Sequence, residues 1–165
     1  MSPAAPWITR FGPRVTPQGA VLDLACGGGR HGRWFMQRGH PVTLVDRDLS
    51  GVLDLQSQAT LIEADLEAQP WPLDHQTFAA VVVSNYLWRP LLPQIVAAVA
   101  PGGWLLYQTF AVGNERFGRP RNPDFLLQPG ELLRACAGLK IIAYEDDEVQ
   151  SPRPAMIQRI AAHRP

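Results

Sequence analysis

Three glycines and three carboxylates carry the first chemical reading of this 165-residue chain. Residues 21–32 run Val-Leu-Asp-Leu-Ala-Cys-Gly-Gly-Gly-Arg-His-Gly, so that Gly27, Gly29 and Gly32 fit the pattern G-x-G-x-x-G. Missing side chains let the backbone approach a bound ligand where a strand gives way to a helix. A plain strand-to-helix turn has the same needs, so the acids around the triplet decide what it serves. Asp23 precedes the loop, while Asp46 and Asp65 close two later apolar runs. Asp46 stands about 20 residues beyond the loop, where a dinucleotide site places the acid that takes the ribose hydroxyls. Asp23 points elsewhere, because a carboxylate beside the turn repels a pyrophosphate and suits an ammonium or sulfonium cation. The dinucleotide reading stays open on these residues, but it also asks for a substrate domain. The roughly 100 residues after the third apolar run are spent on completing a sheet.

Those residues need a scaffold that gathers strand ends along one edge. Apolar runs of strand length lie at 20–25, 41–46, 59–64, 78–84 and 103–109, with helix-like stretches at 30–38, 48–55 and 90–100 between them. Pro101-Gly102-Gly103 ends the last of these helices. Strands alternating with helices predict right-handed crossovers and a parallel sheet, and a Val-rich run such as 78–83 suits a strand buried on both faces. A helix at 129–137 follows, then runs at 139–145 and 155–162 joined by an acidic turn, Glu145 to Glu148, too short for a crossover. These two strands pair antiparallel. The predicted fold is α/β, an open, mostly parallel seven-stranded Rossmann-like sheet with helices on both faces and a C-terminal antiparallel hairpin. Residues 1–19 form an arm with one helical turn presenting Trp7, Ile8 and Phe11, and 20–165 form a single domain.

The combination resembles a class I S-adenosylmethionine-dependent methyltransferase, in a short bacterial branch similar to tellurite-resistance-type enzymes that act on small molecules. The likeness spans about Ala20 to Ile160. It is carried by Asp23-x-Ala25-Cys26-Gly27-Gly28-Gly29, Val45-Asp46, Ala64-Asp65-Leu66, Ser84-Asn85-Tyr86-Leu87 and Pro101-Gly102-Gly103. The resemblance implies S-adenosylmethionine as cofactor and S-adenosylhomocysteine as product. Asp23, Ala25, Gly27 and Gly29 would hold the methionine side, and Asp46 with Arg47 the ribose. Asp65 and Leu66 would flank the adenine. Asn85 and Tyr86 would line the place of transfer, with Tyr86 either acting on a substrate proton or packing. Three departures stand out: a crossover of about a dozen residues between strands two and three, Phe78-Ala79 where the family shows Phe-Asp, and no Pro-Pro after Asn85. The last speaks against exocyclic nucleobase amines and glutamine amides as acceptors. The first leaves one sheet face thinly covered, for the arm or a partner subunit such as a second copy in a homodimer.

The acceptor side is read from residues 110–128, a patternless stretch at the carboxyl edge of strand five, where ligand crevices open. Arg89, Arg116 and Arg119, with Arg121, are expected to cluster there under a lid that reads a small, anionic substrate, or else to pair with Glu115 and Asp124. His31, in the first turn of the helix after the glycine loop, is either a contact at the site or, as the preferred reading, a helix cap or exposed side chain. Methyl transfer is an in-line displacement that rests on positioning, so no base need be visible. Composition narrows the rest. Fifteen basic residues, fourteen of them Arg, balance fifteen acidic ones, which speaks against nucleic acid as partner. Cys26 and Cys136 form no metal-ligand pattern. No apolar run spans a bilayer and the start has no leader pattern, which predicts a cytoplasmic protein. The competing reading is a non-catalytic methyltransferase-like domain that binds cofactor or a partner.

Overall fold

The structure is a computed structural model and describes residues 2–165, so that Met1 of the arm lies outside the described residues. One seven-stranded sheet runs in the order β3-β2-β1-β4-β5-β7-β6. Its strands are β1 (Val21–Leu24), β2 (Val42–Asp46), β3 (Thr60–Glu63), β4 (Phe78–Ser84), β5 (Val99–Phe110), β6 (Lys140–Val149) and β7 (Ala155–His163). The first five are parallel, and β7 lies antiparallel between β5 and β6. This is the expected mixed α/β sheet. The chain moves outward from β1 through β2 to β3, then returns to place β4 on the other side of β1, so a crevice opens beyond the carboxyl ends of β1 and β4. Leu24 is level with Val45 of β2 and Val83 of β4, which brings the three strand ends to one edge.

Alternation along the strands builds two cores. Leu22, Leu24, Val81 and Val83 face helices α3 (Leu92–Ala97) and α4 (Glu131–Ala135), represented by Ile95 and Leu132. Val21, Ala80, Val82 and Leu106 face α1 (Pro6–Phe11) and α2 (Arg30–Met36) on the opposite side. The arm belongs to this second core. Trp7, Ile8 and Phe11 are buried, α1 packs against β5, and the Trp7 indole N–H donates to the Ile160 carbonyl at 3.0 Å. The arm thus covers the β5 side of the face. Over β2 the cover comes from the short crossover itself, whose Val52 and Leu55 are buried.

Several elements differ from expectation. The helix at 48–55 is reduced to a single 3-10 turn, Leu53–Leu55, because a dozen residues leave no length for helix and loops together. The stretch 90–100 splits into a 3-10 turn, Arg89–Leu91, and α3. Strand β5 begins at Val99, and Pro101-Gly102-Gly103 forms a bulge within its first residues rather than a boundary: Phe78 pairs with Val99, but Ala80 pairs with Trp104. The acidic residues 145–148 lie in edge strand β6, and the turn falls at 150–154. Among the described residues no helix is long and apolar enough to cross a membrane.

Candidate functional site

The crevice between β1 and β4 begins at two residues with left-handed backbone. Ala25 (φ 53°) follows β1 and Asn85 (φ 56°) follows β4. Non-glycine residues seldom adopt this region, and such strain gathers at functional sites. Both residues line two adjoining cavities, one of about 600 Å³ and one of about 380 Å³. Ala25 and Asn85 are therefore the shared wall of a two-chambered trough.

The smaller chamber is built by the loop after β1. Gly27 (φ 53°) has open space where a side chain would stand, and it lines the chamber together with Gly28. Gly29 (φ 75°) plays another part: a Cβ there would meet Val52 at 2.8 Å, so this glycine lets the helix start pack under the crossover. Gly29 was expected to hold the cofactor, but it lies outside the chamber lining, and Gly28 stands there instead. Asp23 faces the same chamber, 3% exposed, with Oδ2 accepting the Gly32 N–H at 2.9 Å. Burial lifts its carboxyl to about 7, against the pull of that hydrogen bond and of Arg30. Burial and the neighbouring Asp23 and Asp46 push the Cys26 thiol up to about 12, which leaves it no thiolate character.

His31 is neither an exposed residue nor a cap. It is buried, and its Nε2 accepts the Ala5 N–H at 3.1 Å. Burial first, and then Arg30, lowers it to about 4, so the ring is a neutral acceptor. Arg30 donates to the Pro3 carbonyl at 3.2 Å and reaches Ser84 at 3.4 Å. The arm is thereby tied down over the chamber, and Ser2 lines it.

The larger chamber holds the acids at the strand ends. Asp46 receives the Gly27 N–H on Oδ2 at 2.8 Å and the Asp48 N–H on Oδ1 at 3.0 Å. This carboxylate both shapes the glycine loop and lines the chamber, as Arg47 beside it does. Asp65 accepts the Glu67 N–H at 3.0 Å, and Leu66 packs in the adjacent core while lining the chamber. At the far end stand Tyr86, Leu87, Phe110, Pro120 and Phe125. The Tyr86 hydroxyl lies 3.4 Å from Glu67 Oε2, and burial together with that negative charge raises its pKa further. The Tyr86 hydroxyl thus carries its proton and points it at Glu67. The buried Tyr107 hydroxyl donates to the Tyr86 carbonyl at 2.7 Å and fixes the Asn85-Tyr86 turn from below.

The expected arginine cluster does not form. Arg89 spends its donors inside the protein, on the Glu131 carboxylate at 2.7 and 3.0 Å and on the carbonyls of Pro123, Asp124 and Leu126. Arg116 donates to the Gly113 carbonyl at 3.1 Å and lies over the Phe117 ring. Arg119 is exposed, and among the described residues none of the three arginines lines the larger chamber. Sequence reasoning passed over Gly28, Glu67, Pro120 and Phe125. Glu67 had a signal, two places beyond Asp65 in the same loop, and Phe125 lay within the stretch singled out as unusual. Tyr107 had none.

A family model described as a methyltransferase domain matches residues 21–103. No curated protein matches in sequence. Among solved structures, TehB from Haemophilus influenzae superposes with a TM-score of 0.75 at 16% identity over 96% of this chain; the chain spans 61% of that protein's length. An S-adenosylmethionine-dependent methyltransferase from Mesorhizobium loti gives 0.72 at 22% identity, with 96% of each chain covered. A 1,6-didemethyltoxoflavin-N1-methyltransferase from Burkholderia thailandensis, solved with bound 1,6-didemethyltoxoflavin and S-adenosylhomocysteine, gives 0.71 at 16% identity over 96% of this chain and 76% of the other. These likenesses concern the fold. The sequence match runs from β1 into β5 and so takes in the glycine loop, the three strand-end acids and the Asn85 turn. By that match the chain belongs to the methyltransferase domain family.

Proposed function

We propose that the chain is an S-adenosylmethionine-dependent methyltransferase that transfers a methyl group to a small molecule by in-line displacement. The observation that carries this reading is the two-chambered trough with an acid in each part: Asp23 in the smaller, Asp46 and Asp65 in the larger. Such a trough fits a ligand with a cationic amine at one end and a nucleoside at the other. A dinucleotide would set its pyrophosphate beside Asp23, at a cost in repulsion that a protonated or paired carboxylate only partly removes.

When bound, the cofactor supplies an electrophilic methyl group and is left as S-adenosylhomocysteine. Asp23, with one oxygen on Gly32 and no partner on the other among the described residues, would take the ammonium. The open backbone at Gly27 and Gly28 would pass beneath the chain that joins amine and ribose. Asp46, with Arg47 beside it, would accept from the ribose hydroxyls, and Asp65 from the adenine amino group against the side chain of Leu66. Ala25 and Asn85, at the shared wall, would flank the reacting centre. Tyr86 keeps its proton and serves to donate to the acceptor, while Glu67 is the carboxylate placed to receive one. Positioning of this kind can account for much of a displacement rate.

Thermal unfolding with S-adenosylmethionine, S-adenosylhomocysteine and NAD in parallel tests the reading. Ligand at about 100 times its Kd stabilises by about 2.7 kcal/mol, or roughly 5 to 11 °C for a chain of this size. A shift is expected with the first two only. A shift with NAD alone would overturn the assignment.

A further inference from the structure

The far end of the larger chamber is more specific than its position requires. Arg89 grips the carbonyls of Pro123, Asp124 and Leu126, which flank Phe125 on both sides, and anchors them to Glu131. Asn122 caps the same turn by accepting the Asp124 N–H at 3.0 Å, and Leu126 and Leu127 are buried. The backbone on both sides of Phe125 is held by these bonds, while Phe125 itself is 42% exposed and lines the chamber. A ring held rigidly at a cavity mouth gives contact area at little entropic cost. Phe110, Tyr86 and Pro120 continue the surface.

The charges at this end are equally informative. Tyr86 is faced by Glu67 and Asp65 on the negative side and by Arg47 on the positive. Among the described residues, the Glu67 carboxylate has the weak 3.4 Å contact with the Tyr86 hydroxyl as its one side-chain partner. Arg89 and Arg116 are engaged in the loop and Arg119 lies outside, so that Arg47, next to Asp46, is the arginine left in the chamber lining against Asp46, Asp65 and Glu67. An anionic acceptor would therefore meet carboxylates and aromatic faces, both of which favour cations or neutral rings.

We propose that the acceptor is a flat aromatic or heteroaromatic molecule, neutral or bearing a basic nitrogen, that stacks on Phe125 and Phe110 with its polar edge toward Tyr86 and Glu67. The proposal rests on the methyltransferase reading above, with transfer at the Ala25–Asn85 wall and the acceptor reaching it from the aromatic part of the larger chamber. Arg89 is then a positioning residue for the ring of Phe125, not a substrate contact.

The test is titration calorimetry at about pH 7.5 of the whole protein, with and without S-adenosylhomocysteine, using three probes: naphthalen-2-ylmethylamine, naphthalene-2-carboxylate and cyclohexylmethylamine. The aromatic amine should bind about tenfold more tightly than either of the others. Phe125→Ala should weaken it about tenfold and Phe125→Tyr should keep it, with the S-adenosylhomocysteine thermal shift unchanged in both. Equal or tighter binding of the carboxylate or of the cyclohexyl amine, or an unaffected Phe125→Ala protein, would overturn the proposal. Loss of the S-adenosylhomocysteine shift in the wild-type protein would overturn the cofactor reading separately, and the aromatic amine titrated without cofactor would still decide the ring site.

Discussion

Burial holds the Asp23 carboxyl at about 7, so at neutral pH the apo protein is divided between a neutral and a charged form of this side chain. An ammonium group in the smaller chamber interacts with the charged form alone. Binding must then draw on the ionised fraction, which shrinks about tenfold for each pH unit below the pKa. We expect the affinity for S-adenosylhomocysteine to fall by roughly tenfold or more between about pH 8 and pH 5.5. Asp23→Asn keeps an acceptor for the Gly32 N–H, and it should bind weakly with a flat profile over the same range. Calorimetry at the two pH values reads both; a wild-type affinity independent of pH would show that the ligand does not address this carboxylate. The residue's type and its place before the glycines were legible from the chain. Its displaced titration was not, since that depends on α2 packing over the sheet, with Gly32 set against Asp23, Val42 and Leu44.

At the scale of elements, the strands were readable because burial on both faces leaves uninterrupted apolar runs such as Val81-Val82-Val83. The crossover between β2 and β3 was not, because Val52 and Leu55 stand three apart in a segment too short to show a period. Four consecutive acids suggested a turn, yet an edge strand tolerates charge, and the two prolines at 152 and 154 were the better turn signal. The loop 110–128 was seen as functional for its length, but its anchoring was hidden. Arg89 meets Glu131 from 42 residues away, a contact that no local pattern encodes. That clamp has a consequence that can be measured. Lysine preserves the charge but cannot span a carboxylate and three carbonyls with one ammonium. In Arg89→Lys the amides of Phe125, Leu126 and Leu127, bonded to Asn122, Pro123 and Phe110, should exchange hydrogen at least about tenfold faster. Exchange in β1 and β4 and the S-adenosylhomocysteine thermal shift should stay as in wild type. Unchanged exchange at 125–127 would mean that the buried Leu126 and Leu127 hold the loop without the arginine.

Across the whole molecule, Asp23 and His31, the buried groups of the smaller chamber displaced within the acid-to-neutral range, act on stability in opposite directions. Asp23 has its pKa raised by folding, from 3.8 to about 7. The folded protein therefore holds a proton that the unfolded chain releases, and the resulting stability is complete below about 4 and lost as the pH rises through about 7. His31 has its pKa lowered, from 6.5 to about 4, because burial penalises the charged ring and Arg30 lies beside it, and a protonated ring could no longer accept the Ala5 N–H. Its contribution is complete above about 6.5 and lost as the pH falls through about 4. The displacements correspond to about 4 and about 3 kcal/mol across their windows. Between about pH 4.5 and 6.5 the two slopes largely cancel, so the apo protein hides both. Single variants unmask them. Relative to wild type, Asp23→Asn should lose stability on acidification across this window, as the arm is released from His31, and His31→Gln should gain it. Each divergence should reach about 5 °C or more in Tm by about pH 4.5. All three proteins share every other carboxylate, so only the differences between their curves matter. Parallel curves would show that neither group changes charge in this range, and with that the hold of His31 on the arm would lose its pH dependence.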